Sequence, residues 1–118
     1  KNHMGRHAGT GIFSADRWAE YLASASSPQC MHAMCEDYRA AASIDLIHDR
    51  ADRAEGKRLK IPLRVLWGEH GLVNKCFNPI EDWGHVALEV TGKSVPSGHY
   101  IPEEIPDLLL LEIKDFFV

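Results

Sequence analysis

The chain holds 118 residues, with 13 Lys and Arg against 17 Asp and Glu, for a formal net charge of -4. That length suits one domain, expected to bury roughly two thirds of the surface its unfolded chain exposes. The absence of a basic cluster beside aromatic residues argues against nucleic acid and anionic membranes as partners, and no apolar run approaches the ~20 residues of a membrane span. Three cysteines, an odd number, do not make a disulfide framework, and no secretory pattern opens the chain, so a cytoplasmic setting is expected. Residues 1–10 read as a disordered or cloning-derived leader, because "KNHM" has no periodicity.

The first half reads as helices. Ser14 is a good N-cap for "ADRWAEYLASA", where Trp18, Tyr21 and Leu22 share a face and Asp16 suits the positive helix start. "SASSP" breaks this run, and Ser27 followed by Pro28 opens a second helix through "QCMHAMCEDYRAAA", with Met31, Met34, Cys35, Tyr38 and Ala42 on one stripe. A third covers "IDLIHDRADRAEG", with Asp49 four residues before Arg53 and Gly56 as a left-handed C-terminal cap.

Composition changes after "KRLK". Pro62 leads into "LRVLW", a short branched apolar run stopped by the turn "GEHG", which has the character of a buried parallel strand. Asn78 and Pro79 open a helix through "IEDWGHVAL", and "EVTGKSVP" reads as a second strand ending just before Gly98 and His99. A last helix starts near Pro106, with Leu109, Ile113 and Phe116 as its core-facing stripe and Glu103 and Glu104 as a solvated acidic lead-in. Strand, helix, strand, helix implies two parallel strands in an α/β arrangement. Trp67 and Trp83 are assigned to packing.

"CMHAMC" places metal-ligand types close together, yet only His32 and Cys35 have helical ligand spacing and no fourth ligand is indicated. The expectation is no metal, a buried thiol face and a structural Cys76. No cofactor motif occurs.

Three stretches resemble the C-terminal part of an α/β-hydrolase, and more narrowly the fluoroacetate and haloacid dehalogenase branch. "CEDYRAAASIDLIHDRADRAEG" is similar to the end of that family's helical cap, "IPLRVLWGEHG" to its penultimate strand, and "VPSGHYIPEEIP" to the loop bearing its catalytic histidine. The resemblance implies a partial α/β-hydrolase, with a helical cap-like segment over 11–58 and a β-α-β-α core segment over 59–118. It implies that His99 descends from the general base that activates water against a covalent ester, and that Tyr38 matches a tyrosine that helps hold the departing halide. Imidazole titrates near neutrality and a phenol is a directional donor, so both residue types suit those roles.

The sequence departs from the family where the nucleophile belongs. Neither "SASSP" nor "GTGIF" is a G-x-S-x-G elbow or its aspartate counterpart. Many relatives carry the orienting acid after the penultimate strand; that place is Gly71, which favours the branch whose acid lies earlier. These 118 residues are therefore expected to form a truncated hydrolase-like piece that is not catalytic alone. Strand 63–67 would present an unpaired edge and the cap helices an uncovered face, so the fold is expected to be completed by homo-oligomerisation. The alternative is a hydrolytic dehalogenase, converting a small haloacid of the haloacetate type to glycolate, active when an N-terminal half supplies an Asp nucleophile.

Overall fold

A computed structural model describes residues 9–117. The chain forms two compact units, one over Phe13–Lys57 and the other over 58–117 together with 9–12. Residues 1–8 of the expected leader lie outside the described residues. No described helix is long and apolar enough to cross a membrane.

The first unit is three helices: α1 (Ala15–Ala25), α2 (Pro28–Ala41) and α3 (Ile44–Ala54), with α2 in contact with both neighbours. Their boundaries follow from local chemistry. Ser14 Oγ accepts from Arg17 N–H at 3.3 Å and Ser27 Oγ from Cys30 N–H at 3.3 Å, each satisfying an amide that a helix start leaves open. Phe13, just before the first cap, packs on Trp18 with ring centroids 5.7 Å apart, a hydrophobic staple that fixes the chain's entry into α1. After α3, Gly56 takes a φ of 68°, its N–H donates to Arg53 C=O at 3.1 Å, and Lys57 N–H donates to Asp52 C=O at 2.9 Å. This pair of bonds is a Schellman motif, which needs the left-handed residue that glycine supplies. Lys57 Nζ then closes the turn on Asp52 Oδ1 at 2.8 Å and Glu55 Oε2 at 2.9 Å, and those bonds raise its pKa.

Burial differs from the expectation. Phe13 is buried, but α1, α2 and α3 contain no buried residue, and Met31, Met34 and Tyr38 are exposed. The cysteines are free and exposed, so the thiol face of α2 is not buried and Cys76 is not a core residue. Asp49 and Arg53 form no ion pair among the described residues, whereas Glu36 pairs with Arg39 one turn along α2.

The second unit contains the sheet. Strands β1 (Leu63–Gly68) and β2 (Val90–Val95) run parallel, in register from Leu63 opposite Val90 to Gly68 opposite Val95. Gly92 has no room for a side chain, because a Cβ there would fall on the Val65 carbonyl, 2.9 Å from its carbon. Two short helices join the strands, α4 (Leu72–Cys76) and α5 (Pro79–Gly84). The helix begun at Pro79 ends sooner than the apolar run suggests: Ala87 is pulled into a parallel bridge with Leu59, secured by Leu59 N–H to Val86 C=O at 2.8 Å and Leu88 N–H to Leu59 C=O at 3.0 Å. Trp83 consequently stays 43% exposed, while Trp67 donates from Nε1 to Asn74 Oδ1 at 2.8 Å, linking β1 to α4.

After β2 come α6 (Ile101–Glu104) and α7 (Pro106–Phe117). Leu109 and Phe116 are half-buried, but Ile113 is 45% exposed, which removes it from the expected stripe. Glu112 takes that place. Its side chain is 13% exposed and bridges both strands, reaching Arg64 Nη1 at 3.4 Å and Lys93 Nζ at 2.7 Å. Arg64 also pairs with Asp115 at 2.6 Å and lies 5.2 Å from the centre of the Phe116 ring, so the guanidinium is held by two carboxylates and an aromatic face. Among the described residues each strand has a single hydrogen-bonded neighbour.

Candidate functional site

In parallel α/β sheets, ligands gather beyond the carboxyl ends of the strands. Here β1 and β2 finish side by side at Gly68 and Val95, and the segment after β2 carries His99. Its path is fixed by backbone bonds. Glu69 N–H donates to Val95 C=O at 2.9 Å, His70 N–H to Ser97 C=O at 3.1 Å, and Ser97 N–H to Val95 C=O at 2.7 Å. Ser97 is 1% exposed, Gly98 is buried, and His99 emerges exposed.

Gly68 makes this approach possible. A Cβ at that position would stand 2.6 Å from the Ser97 carbonyl oxygen and closer still to that of Gly98, distances no real side chain tolerates. Gly71 faces the same loop: its N–H donates to Gly68 C=O at 3.0 Å, and a Cβ on it would lie 3.8 Å from Gly98 O. Residue 71 thus abuts the backbone before His99.

Glu104 holds the loop from its other side. Its Oε2 accepts from Gly98 N–H at 2.6 Å and its Oε1 from Tyr100 N–H at 3.0 Å, so one carboxylate receives the amides flanking His99. This corrects the reading of Glu104 as a solvated lead-in to the last helix, since Glu104 is half-buried. A signal existed in the sequence. Tyr100 is the N-cap of α6, and an acid three or four residues beyond an N-cap is placed to reach back to the cap amide, as in a capping box. The His99 ring meets the Tyr100 ring edge-on, with centroids 4.9 Å apart at 80°. Beside them, His70 Nε2 lies 3.4 Å from Glu69 Oε1 on the surface after β1.

Tyr38 stands on α2 in the other unit, 68% exposed. Among the described residues no group of three or more His, Cys, Asp and Glu side chains could hold a metal ion. The strand ends carry two exposed imidazoles, His70 and His99, and the loop of the second is bonded both to the segment after β1 and to Glu104. Imidazole is a side-chain type suited to general-base chemistry.

No family model matches the chain. It is 28% identical over 108 residues to a fluoroacetate dehalogenase from Burkholderia sp, an alignment covering 92% of this chain and 35% of the relative. A crystal structure from Salmonella enterica described as an acyltransferase superposes with a TM-score of 0.84 at 40% identity, covering 91% of this chain and 35% of the other. A structure from Nostoc sp PCC 7120, described as an α/β-hydrolase, superposes with a TM-score of 0.87 at 39% identity, covering 92% of this chain and 37% of the other. The chain therefore spans little more than a third of the length of these relatives.

Proposed function

We propose that this chain, which has the fold of the C-terminal part of an α/β-hydrolase, supplies the general base of a hydrolytic reaction whose nucleophile comes from outside these 118 residues. The observation that carries the reading is the mounting of His99. Its loop is bonded to the end of β1 on one side and to Glu104 on the other, at the strand ends where this fold places chemistry.

The substrate class in this reading is a small haloacid, supported by the similarity to a fluoroacetate dehalogenase. In the reaction, an aspartate carboxylate displaces halide from the α-carbon and forms an ester, with the C–halogen bond breaking as the C–O bond forms. His99 then takes a proton from water as its oxygen attacks the ester carbonyl, and cleavage of the acyl C–O bond releases the hydroxy acid and regenerates the carboxylate. Tyr38, a hydroxyl donor on the helical unit, is assigned to the departing halide.

The test is fluoride release from fluoroacetate by the chain alone and by the chain co-purified with the N-terminal two thirds of the Burkholderia relative. The chain alone releases none above buffer. The co-purified pair releases fluoride, and His99→Ala lowers that rate by about 10²–10⁴-fold. Equal turnover by the His99→Ala pair, or no turnover by a pair that co-elutes, overturns the reading.

A second reading rests on the strands. β1 and β2 each have one hydrogen-bonded neighbour among the described residues, and Ile61, Leu88, Met34 and Tyr38 are exposed. Open apolar edges favour pairing with another chain. In the absence of a complementing segment the chain self-associates through the edge of strand 63–67 and the cap helices. Light scattering at tens of micromolar tests this directly, and a monomer mass rejects it.

A further inference from the structure

His99 is exposed, and nothing in a two-stranded sheet by itself would hold an exposed loop residue within the few tenths of an ångström that proton transfer requires. Three features of the loop restrict it. The carboxylate of Glu104 receives Gly98 N–H at 2.6 Å and Tyr100 N–H at 3.0 Å, which ties the Ser97–Gly98 and His99–Tyr100 peptides to one acceptor group. Gly98 leaves space for that carboxylate, since a Cβ there would stand 3.0 Å from Glu104 Oε1 and 3.2 Å from Oε2. Glu104 itself is anchored, because its N–H donates to Tyr100 C=O at 2.9 Å within α6.

We propose that Glu104 is a positioning residue for the base: its two carboxylate oxygens clamp the amides of Gly98 and Tyr100 and thereby set the backbone from which the His99 imidazole projects. Charge-assisted bonds from backbone amides to a carboxylate are short and strong, and two of them from one rigid acceptor define an orientation as well as a distance. A neutral amide in the same place has one acceptor oxygen and turns its NH2 group toward the second backbone donor, so it can satisfy only one of the two amides. A shorter carboxylate keeps the charge but loses the reach. The geometry thus separates three contributions, charge, reach and bulk, that single substitutions can distinguish.

The catalytic consequence rests on the reading of His99 as a base, but the clamp can be measured without turnover. Hydrogen exchange and 15N relaxation are followed by NMR on the full chain carrying Glu104→Gln, Glu104→Asp or Glu104→Ala. The expected result is at least a tenfold faster exchange of the Gly98 and Tyr100 amides in Glu104→Ala, with fast motion appearing at His99 and unchanged protection across β1 and β2. In Glu104→Gln one of the two amides retains its protection. If exchange at both amides is unaltered in Glu104→Ala and Glu104→Asp, the clamp does not exist and the proposal falls. Loss of protection throughout the sheet also overturns it, because Glu104 would then support the fold and not the loop. In the co-purified pair, Glu104→Ala is expected to lower kcat about tenfold or more with KM little changed, and Glu104→Gln to recover part of it. Failure of that pair to turn over while the NMR changes appear rejects the hydrolytic reading and leaves the clamp standing.

Discussion

Gly68 and Gly98 meet backbone to backbone, and the space that a side chain at residue 68 would need is already taken by the carbonyl oxygens of Gly98 and Ser97. The end of β1 is therefore the floor on which the histidine loop rests. Alanine at position 68 must displace a main chain that is bonded on both sides. Gly68→Ala is expected to destabilise the sheet unit by about 1–3 kcal/mol, the usual cost of overpacking, and to shift the amide resonances of residues 97–99. Urea unfolding and an amide spectrum measure the two effects together.

Ser27 and Ser43 precede α2 and α3 and do different things. Ser27 Oγ accepts from Cys30 N–H, whereas Ser43 makes no cap bond and its hydroxyl donates back to Arg39 C=O at 2.6 Å. Ser27→Ala is expected to cost about 1 kcal/mol and Ser43→Ala less than about half of that. Thermal unfolding followed by circular dichroism ranks the two, and equal losses contradict the assignment.

Asp115 is held below the ordinary carboxylate value of 3.8 chiefly by its hydrogen bond from Arg64. A carboxyl whose folded pKa is depressed contributes stability that is fully present above its unfolded pKa and is lost as pH falls through the folded one. Wild type and Asp115→Asn should therefore differ at neutral pH, keep that difference down to about pH 4, and converge as the pH drops further. The difference is small and shrinks in molar salt, because the carboxylate lies at the surface. The raised pKa of Arg64 adds no pH dependence in the accessible range, since that group stays charged throughout.

The His99 side chain is exposed, so truncating it uncovers little buried surface. Its neighbours in the chain are bonded through their backbones, and its ring is exposed beside Tyr100. His99→Ala is expected to leave the unfolding free energy within about 0.5 kcal/mol of wild type. A larger loss would mean that the imidazole is structural.

Local chemistry made much of this molecule legible. Ser14, Ser27 and Gly56 mark the helix ends as written in the sequence, because caps act over three or four residues and need no tertiary context. The strand β1 is readable from a branched apolar run, and β2 falls within "EVTGKSVP", also read as a strand. α4 escaped because it is too short for its periodicity to register, and the rest was set by distant partners: α5 yields Ala87 to a bridge with Leu59, and Glu112 displaces Ile113 because Arg64 and Lys93 await it across the sheet. At the site, His99 was legible through its resemblance, while the bonds of Glu104 depend on how tightly the chain turns after Gly98. The exposed cysteines show the same limit from another side. An apolar stripe states which face is oily but not whether anything lies against it.

The sparse burial has a calorimetric consequence. Among the described residues, Phe13, Ala87 and Val95 are the buried hydrophobic side chains, and none of the seven helices contributes any of them. Unfolding such a chain exposes little additional apolar surface to water. Its heat-capacity increment should fall below the ~12–15 cal/mol/K per residue of ordinary domains, its urea dependence should be shallow, and its melting should be broad. Covering the exposed faces with a complementing segment would steepen all three.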